Sequence, residues 1–147
     1  MGTKDMGSRI VGVVGRNGSG KDEVVKYLHE RCRIAMVSAG DVAREIAKKE
    51  KISPSRGNLH AISLKYMKQK GNDFFAKRLI EIIRENDWPV VGITGVRTPY
   101  DVRAFRTHFG ENFMLMHVQV GDPELRFQRL RKRNEARDPK TWEAFQI

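Results

Sequence analysis

Gly15-Arg16-Asn17-Gly18-Ser19-Gly20-Lys21-Asp22 sets the architecture expected of this chain. The apolar run Ile10 to Val14 ahead of it reads as a buried strand. Glu23 to Cys32 behind it reads as a helix carrying Val24, Leu28 and Cys32 on one face. The spacing of the stretch is G-x-x-x-x-G-K, and strand, glycine loop and helix in that order are what a polyphosphate site requires. Glycines let backbone N–H groups curl around the phosphates, the helix N-terminus adds partial positive charge, and Lys21 reaches the terminal phosphates. A glycine turn with no ligand is the competing explanation; the strand before the loop and the lysine at its end argue against it. The expected nucleotide-binding residues are therefore Gly15, Asn17, Gly18, Ser19, Gly20, Lys21 and Asp22.

One position departs from the pattern. Ser or Thr usually follows the lysine and its hydroxyl binds Mg2+, whereas this chain has Asp22. A carboxylate is a good ligand for a hard cation, but it also sets negative charge beside a polyphosphate.

The chain has 147 residues, enough for one domain with a packed core but short for a P-loop kinase with all its strands. Its single cysteine excludes a disulfide framework, and no apolar run is long enough to span a bilayer. These features lead us to expect a soluble, cytoplasmic protein. The net charge of +10 suits phosphate-rich ligands: nucleotides and coenzymes first, nucleic acid second. Residues 1–8 are small and polar and read as a loose leader, with residues 9–147 as the domain. A monomer or homodimer is expected.

Further along, strands alternate with helices. Ile34 to Val37 reads as a second strand, Gly40-Asp41 opens a helix to about Lys51, and Leu59 to Lys70 and Asp73 to Glu85 are further helices. Val90 to Thr94 and Phe113 to Val120 are the third and fourth strands. Thr98-Pro99 and Asp122-Pro123 are helix starts with proline at the first position. The fold class is α/β: a P-loop three-layer sandwich with a mostly parallel sheet and helices on both faces. Ligands should bind at the carboxyl ends of its strands.

Three groups of residues fall at that edge. Ser38-Ala39-Gly40-Asp41-Val42-Ala43-Arg44 follows the second strand and resembles the T-G-D-x-x-R segment of adenylate kinases, in which the arginine grips the acceptor phosphate. An ordinary helix start capped by Asp41 is the alternative. Gly95-Val96-Arg97 follows the third strand and resembles the D-G-x-R segment of nucleotide kinases, with Thr94 where the acid stands. Two guanidinium forks, Arg44 and Arg97, would then share one phosphate. Arg126, Arg129, Arg131, Lys132, Arg133, Arg137 and Lys140 crowd residues 126–140 with only two acids, Glu135 and Asp138. Such a cluster suits a lid that closes on a transferring phosphate; a solvated basic face or a nucleic-acid patch is the competing view. Arg129 and Arg133 share a helix face and are the lid candidates.

Together these segments, with Ala76-Lys77-Arg78 and the run Arg126 to Trp142, resemble a mostly archaeal family of adenylate-kinase-related P-loop proteins, often labelled dephospho-CoA kinase-like. The resemblance covers nearly the whole chain, and the family pattern continues beyond it with a fifth strand and a loop that holds adenine. It implies an ATP- and Mg2+-dependent kinase with Lys21, Arg129 and Arg133 as catalytic residues. Asp41, Arg44, Arg78 and Arg97 would bind the acceptor within residues 38–86, and residues 126–140 would form the lid. Asp22 and Thr94 depart from that pattern: either they still stand at the metal, one acid and one hydroxyl with their usual places exchanged, or both positions have drifted and nucleotide binds with little metal dependence. Dephospho-CoA kinases carry an acidic D-A-D segment where this chain has Ser38-Ala39-Gly40, so no base for a hydroxyl acceptor stands there. A nucleoside monophosphate needs none, because its phosphate is already an anionic nucleophile. His29, His60, His108 and His117 have no metal-ligand spacing.

Overall fold

The computed structural model describes residues 7–16, 18–133 and 141–143. Four parallel strands form one sheet in the order β2-β3-β1-β4, with β1 at Arg9–Val14, β2 at Ala35–Ser38, β3 at Val90–Thr94 and β4 at Phe113–His117. The helices are α1 (Lys21–Glu30), α2 (Ala39–Lys49), α3 (Arg56–Lys70), α4 (Phe74–Glu85), α5 (Pro99–Phe109) and α6 (Pro123–Arg133). Among the described residues no helix is long and apolar enough to cross a membrane.

The connections decide which helix covers which face. The step from β1 to β2 runs one way across the sheet, and those from β2 to β3 and from β3 to β4 run the other way. Right-handed crossovers then put α1 on one face and α2, α4 and α5 on the opposite one. The core lies on the second face. Ile10, Val37, Val91, Ile93 and Phe113 point from the strands into Val42 and Ala43 of α2, Phe75, Leu79 and Ile83 of α4, and Phe105 of α5. These strand residues sit at matching positions, with Ile10 beside both Val91 and Phe113, and Val37 beside Ile93. Alternation of period two therefore delivers one apolar layer to the helices. Phe105 stacks on Phe113 at 5.6 Å between ring centroids.

Several element boundaries differ from the sequence expectation. Helix α1 starts at Lys21 and ends at Glu30, so Cys32 lies outside it and is exposed. The chain turns there through Arg33 at φ 55°, and Ile34 N–H returns to the Leu28 carbonyl at 3.1 Å. Strand β2 includes Ser38, α2 ends at Lys49, and α3 begins at Arg56 because the Ser55 hydroxyl accepts from Asn58 N–H at 3.2 Å. Strand β4 stops at His117, three residues short of Val120. Its partner β1 has ended: His117 pairs with Val14, and after one more bond, Val118 N–H to the Val14 carbonyl at 2.8 Å, the phosphate loop turns away. The expected start at Thr98 is a full capping box. Thr98 Oγ1 accepts from Asp101 N–H at 3.3 Å, and the Asp101 carboxylate accepts from Thr98 N–H at 3.1 Å. At the chain start, the Ser8 hydroxyl donates to the Trp88 carbonyl at 2.6 Å.

Candidate functional site: a phosphate loop under an arginine helix

Strand β1 sits between β3 and β4, so the loop that leaves it at Gly15 emerges near the middle of the carboxyl edge. Gly18 at φ 78° and Gly20 at φ 93° hold the left-handed conformations that turn the chain back into α1. Ser19 between them is buried, at 4% exposure, and its Oγ accepts from Lys21 N–H at 3.4 Å. The N-cap residue Gly20 has no side chain to cap α1, whose N-terminus opens directly from the loop. Lys21 Nζ donates to the Gly15 carbonyl at 3.3 Å, which folds the side chain back across the loop. Backbone N–H groups of a glycine loop, a helix N-terminus and a lysine ammonium are the elements that a polyphosphate site requires. Asn17 lies outside the described residues.

Helix α6 packs over this loop. The Arg126 carbonyl would lie 2.5 Å from a Cβ built on Gly18, Arg129 Nη1 donates to the Gly18 carbonyl at 3.5 Å, and Arg133 Nη1 pairs with Asp22 Oδ2 at 2.9 Å. Residues 126, 129 and 133 share one helix face, while Phe127 and Leu130 on another face are buried. Phe127 also meets Trp142 edge to face at 5.4 Å. The remainder of the expected lid, residues 134–140, lies outside the described residues.

Two of the segments that carry the acceptor candidates leave the same sheet edge. Ser38 and Thr94, the last residues of β2 and β3, are register partners, so the segments that follow them leave the sheet side by side. Gly95 packs against Ala39, with its would-be Cβ 3.4 Å away. Helix α2 is capped by Ser38, whose hydroxyl accepts from Gly40 N–H at 3.1 Å. Asp41 instead pairs with Arg44, Oδ1 to Nη1 at 2.6 Å, which replaces the alternative of Asp41 as capping residue. Both of those side chains are exposed. Arg97 is exposed as well, and its backbone N–H donates to Asp101 at 3.2 Å. Arg78 Nη1 lies along α4 at 3.0 Å from Glu81 Oε2.

A Mg2+ ion would meet a sparse donor set. Among the described residues no three His, Cys, Asp or Glu gather into a cluster. Asp22 and half-buried Thr94 supply one carboxylate and one hydroxyl. That number fits an ion that draws most of its shell from water and substrate phosphates. Missing from the sequence reasoning was the partner of Asp22, because Arg133 is 111 residues away and no local pattern joins them.

The chain is similar to proteins of established lineage and fold. The AAA domain family matches residues 14–146. A UPF0200 protein of Thermococcus onnurineus is 36% identical over 140 residues, which is 93% of this chain and 75% of that protein. Another from Pyrococcus horikoshii is 37% identical over 138 residues, 92% of this chain and 74% of that one. Among solved structures, a shikimate kinase from Acinetobacter baumannii in complex with shikimate superposes with TM-score 0.53 at 15% identity, over 97% of this chain and 73% of that one. A gluconokinase from Sinorhizobium meliloti gives TM-score 0.51 at 17% identity, over 98% and 73%. These likenesses give the chain a kinase-like P-loop fold. By its match to residues 14–146 and its archaeal relatives, the chain belongs to the AAA domain family of P-loop proteins and to the UPF0200 proteins.

Proposed function

We propose that this protein transfers the γ-phosphoryl group of ATP to a small phosphorylated acceptor, and that the acceptor is a nucleoside monophosphate. The observation that carries this is the adjacency of two basic segments at one sheet edge: those leaving Ser38 and Thr94 run side by side and bring Arg44 and Arg97 to the edge that holds the phosphate loop. An acceptor phosphate bound between those arginines would face the end of a donor triphosphate held by Lys21 and the loop amides. One acceptor oxygen forms a bond to the γ-phosphorus, the bond to the bridging oxygen breaks, and ADP leaves. Such a transfer needs positioning and charge neutralisation more than a base, which agrees with Ser38-Ala39-Gly40 in place of an acidic segment.

Arg129 and Arg133 neutralise charge on the moving group, and α6 keeps water from it. Mg2+, when bound, would offset the charge of the phosphates; Asp22 and Thr94 are the residues that would hold it or its waters. Asp41 orients Arg44, and Arg78 is a secondary contact for the acceptor. The shikimate kinase and gluconokinase likenesses support small-molecule phosphoryl transfer as the class of reaction. Their low identity leaves the acceptor to this chain's own chemistry.

Substituting the acceptor arginines tests the assignment. Arg44→Ala and Arg97→Ala are each expected to raise the KM for a nucleoside monophosphate by about ten- to a hundredfold, the loss of a charged hydrogen-bonding partner, and to leave ATP affinity within about twofold. Transfer to monophosphates that is indifferent to both substitutions would contradict it. Transfer only to dephospho-CoA would move the chain to the hydroxyl-phosphorylating alternative.

A further inference from the structure

The carboxylate beside the loop lysine sits opposite the last arginine of α6. Asp22 lies in the first turn of α1 and Arg133 in the last turn of α6, each at the helix end whose dipole favours its charge. Their 2.9 Å pair therefore ties the start of one helix to the finish of the other. The Arg133 side chain is 27% exposed and that of Asp22 60%, so the contact is partly shielded from solvent. Three positions on one face of α6 meet the loop: the Arg126 backbone against Gly18, Arg129 on the Gly18 carbonyl, and Arg133 on Asp22. Of the two side-chain contacts, that of Arg133 is the shorter, and it joins opposite charges. The hydroxyl that usually occupies the Asp22 position could not provide it.

We propose that Asp22 is a positioning residue for α6: in the nucleotide-free protein its carboxylate holds Arg133 and keeps the arginine helix docked on the phosphate loop. The inference rests on the phosphate-loop assignment for its meaning but concerns the empty state. Arriving polyphosphate must take Arg133 from Asp22, so the loop carries its own stand-in anion. Docking before binding keeps the guanidinium groups in place for charge they will later meet, at the cost of one exchange of partners.

Amide hydrogen exchange of α6 in the nucleotide-free full chain tests this. Residues 123–133 are expected to be protected in the wild type. Asp22→Asn and Arg133→Gln are each expected to speed their exchange by about two- to fivefold, the range an exposed ion pair supports. The double variant should show no further increase, and the charge-swapped pair Asp22→Arg with Arg133→Asp should restore protection. A helix unprotected in the wild type, or exchange unchanged in Asp22→Asn, would overturn the proposal. Calorimetric titration of ATP into the same proteins keeps the two ideas separate. Failure of the wild type to bind ATP sinks the phosphate-loop assignment, whereas intact binding with unchanged exchange sinks only the docking role.

Discussion

Gly18 and Arg126 are in contact through their backbones: a Cβ on Gly18 would stand 2.5 Å from the Arg126 carbonyl oxygen. Gly18 also has φ 78°. Gly18→Ala thus meets two penalties, a left-handed conformation that costs an L-residue roughly 1–2 kcal/mol and a clash that pushes α6 from the loop. The expected outcome is a loss of about that size in chemical denaturation together with weaker ATP binding. A variant as stable as the wild type would show that α6 and the loop do not pack in this way.

Lys21 supplies charge rather than packing, with its ammonium donating to the Gly15 carbonyl. Lys21→Ala is expected to weaken ATP binding by about ten- to a hundredfold, the worth of hydrogen bonds to a charged group, with the melting temperature little changed. Calorimetry and thermal melting check both halves. Unchanged ATP affinity would remove the phosphate-loop assignment.

Enzyme and nucleic-acid binder are separated by α6. For phosphoryl transfer, Arg129→Ala and Arg133→Ala should each lower turnover by about a hundredfold or more and leave oligonucleotide binding weak. For an RNA- or DNA-binding surface, each should instead flatten the dependence of log affinity on log salt by about one unit. Turnover and oligonucleotide titrations over a salt series decide between them.

The metal role of Asp22 is read from a ratio. Because releasing Arg133 affects ATP with or without Mg2+ alike, the ratio of the two affinities isolates the metal contribution. If Asp22 and Thr94 serve the ion, the wild type binds ATP more tightly with Mg2+ and Asp22→Ala loses most of that gain. Asp22→Ala that binds MgATP as well as the wild type, with the Mg2+ gain intact, would leave Asp22 only its contact with Arg133.

What was legible in the sequence was local. Glycine spacing with Lys21 marks the loop, and Thr98 with Pro99 and Asp101 marks the start of α5, because a few adjacent residues carry the whole geometry. Strand β4 is overestimated because Val118 and Val120 continue its alternation, while its end is set by β1 turning away after Val14. Cys32 follows the helical spacing of Val24 and Leu28, yet the turn through Arg33 puts it outside α1. The Asp22–Arg133 pair and the seating of Arg126 on Gly18 depend on how distant segments return to one edge, which no window of sequence encodes. Ser38 as the α2 cap was equally hidden, since Asp41 is as good a capping residue by type.

Transfer of a phosphoryl group to a nucleoside monophosphate is measured by single-turnover assays with γ-labelled ATP. The panel of acceptors is the nucleoside monophosphates and dephospho-CoA. Label is expected in a nucleoside diphosphate, with the rate lost in Lys21→Ala. No label in any diphosphate while ATP is bound, or label only in the product from dephospho-CoA, would contradict it.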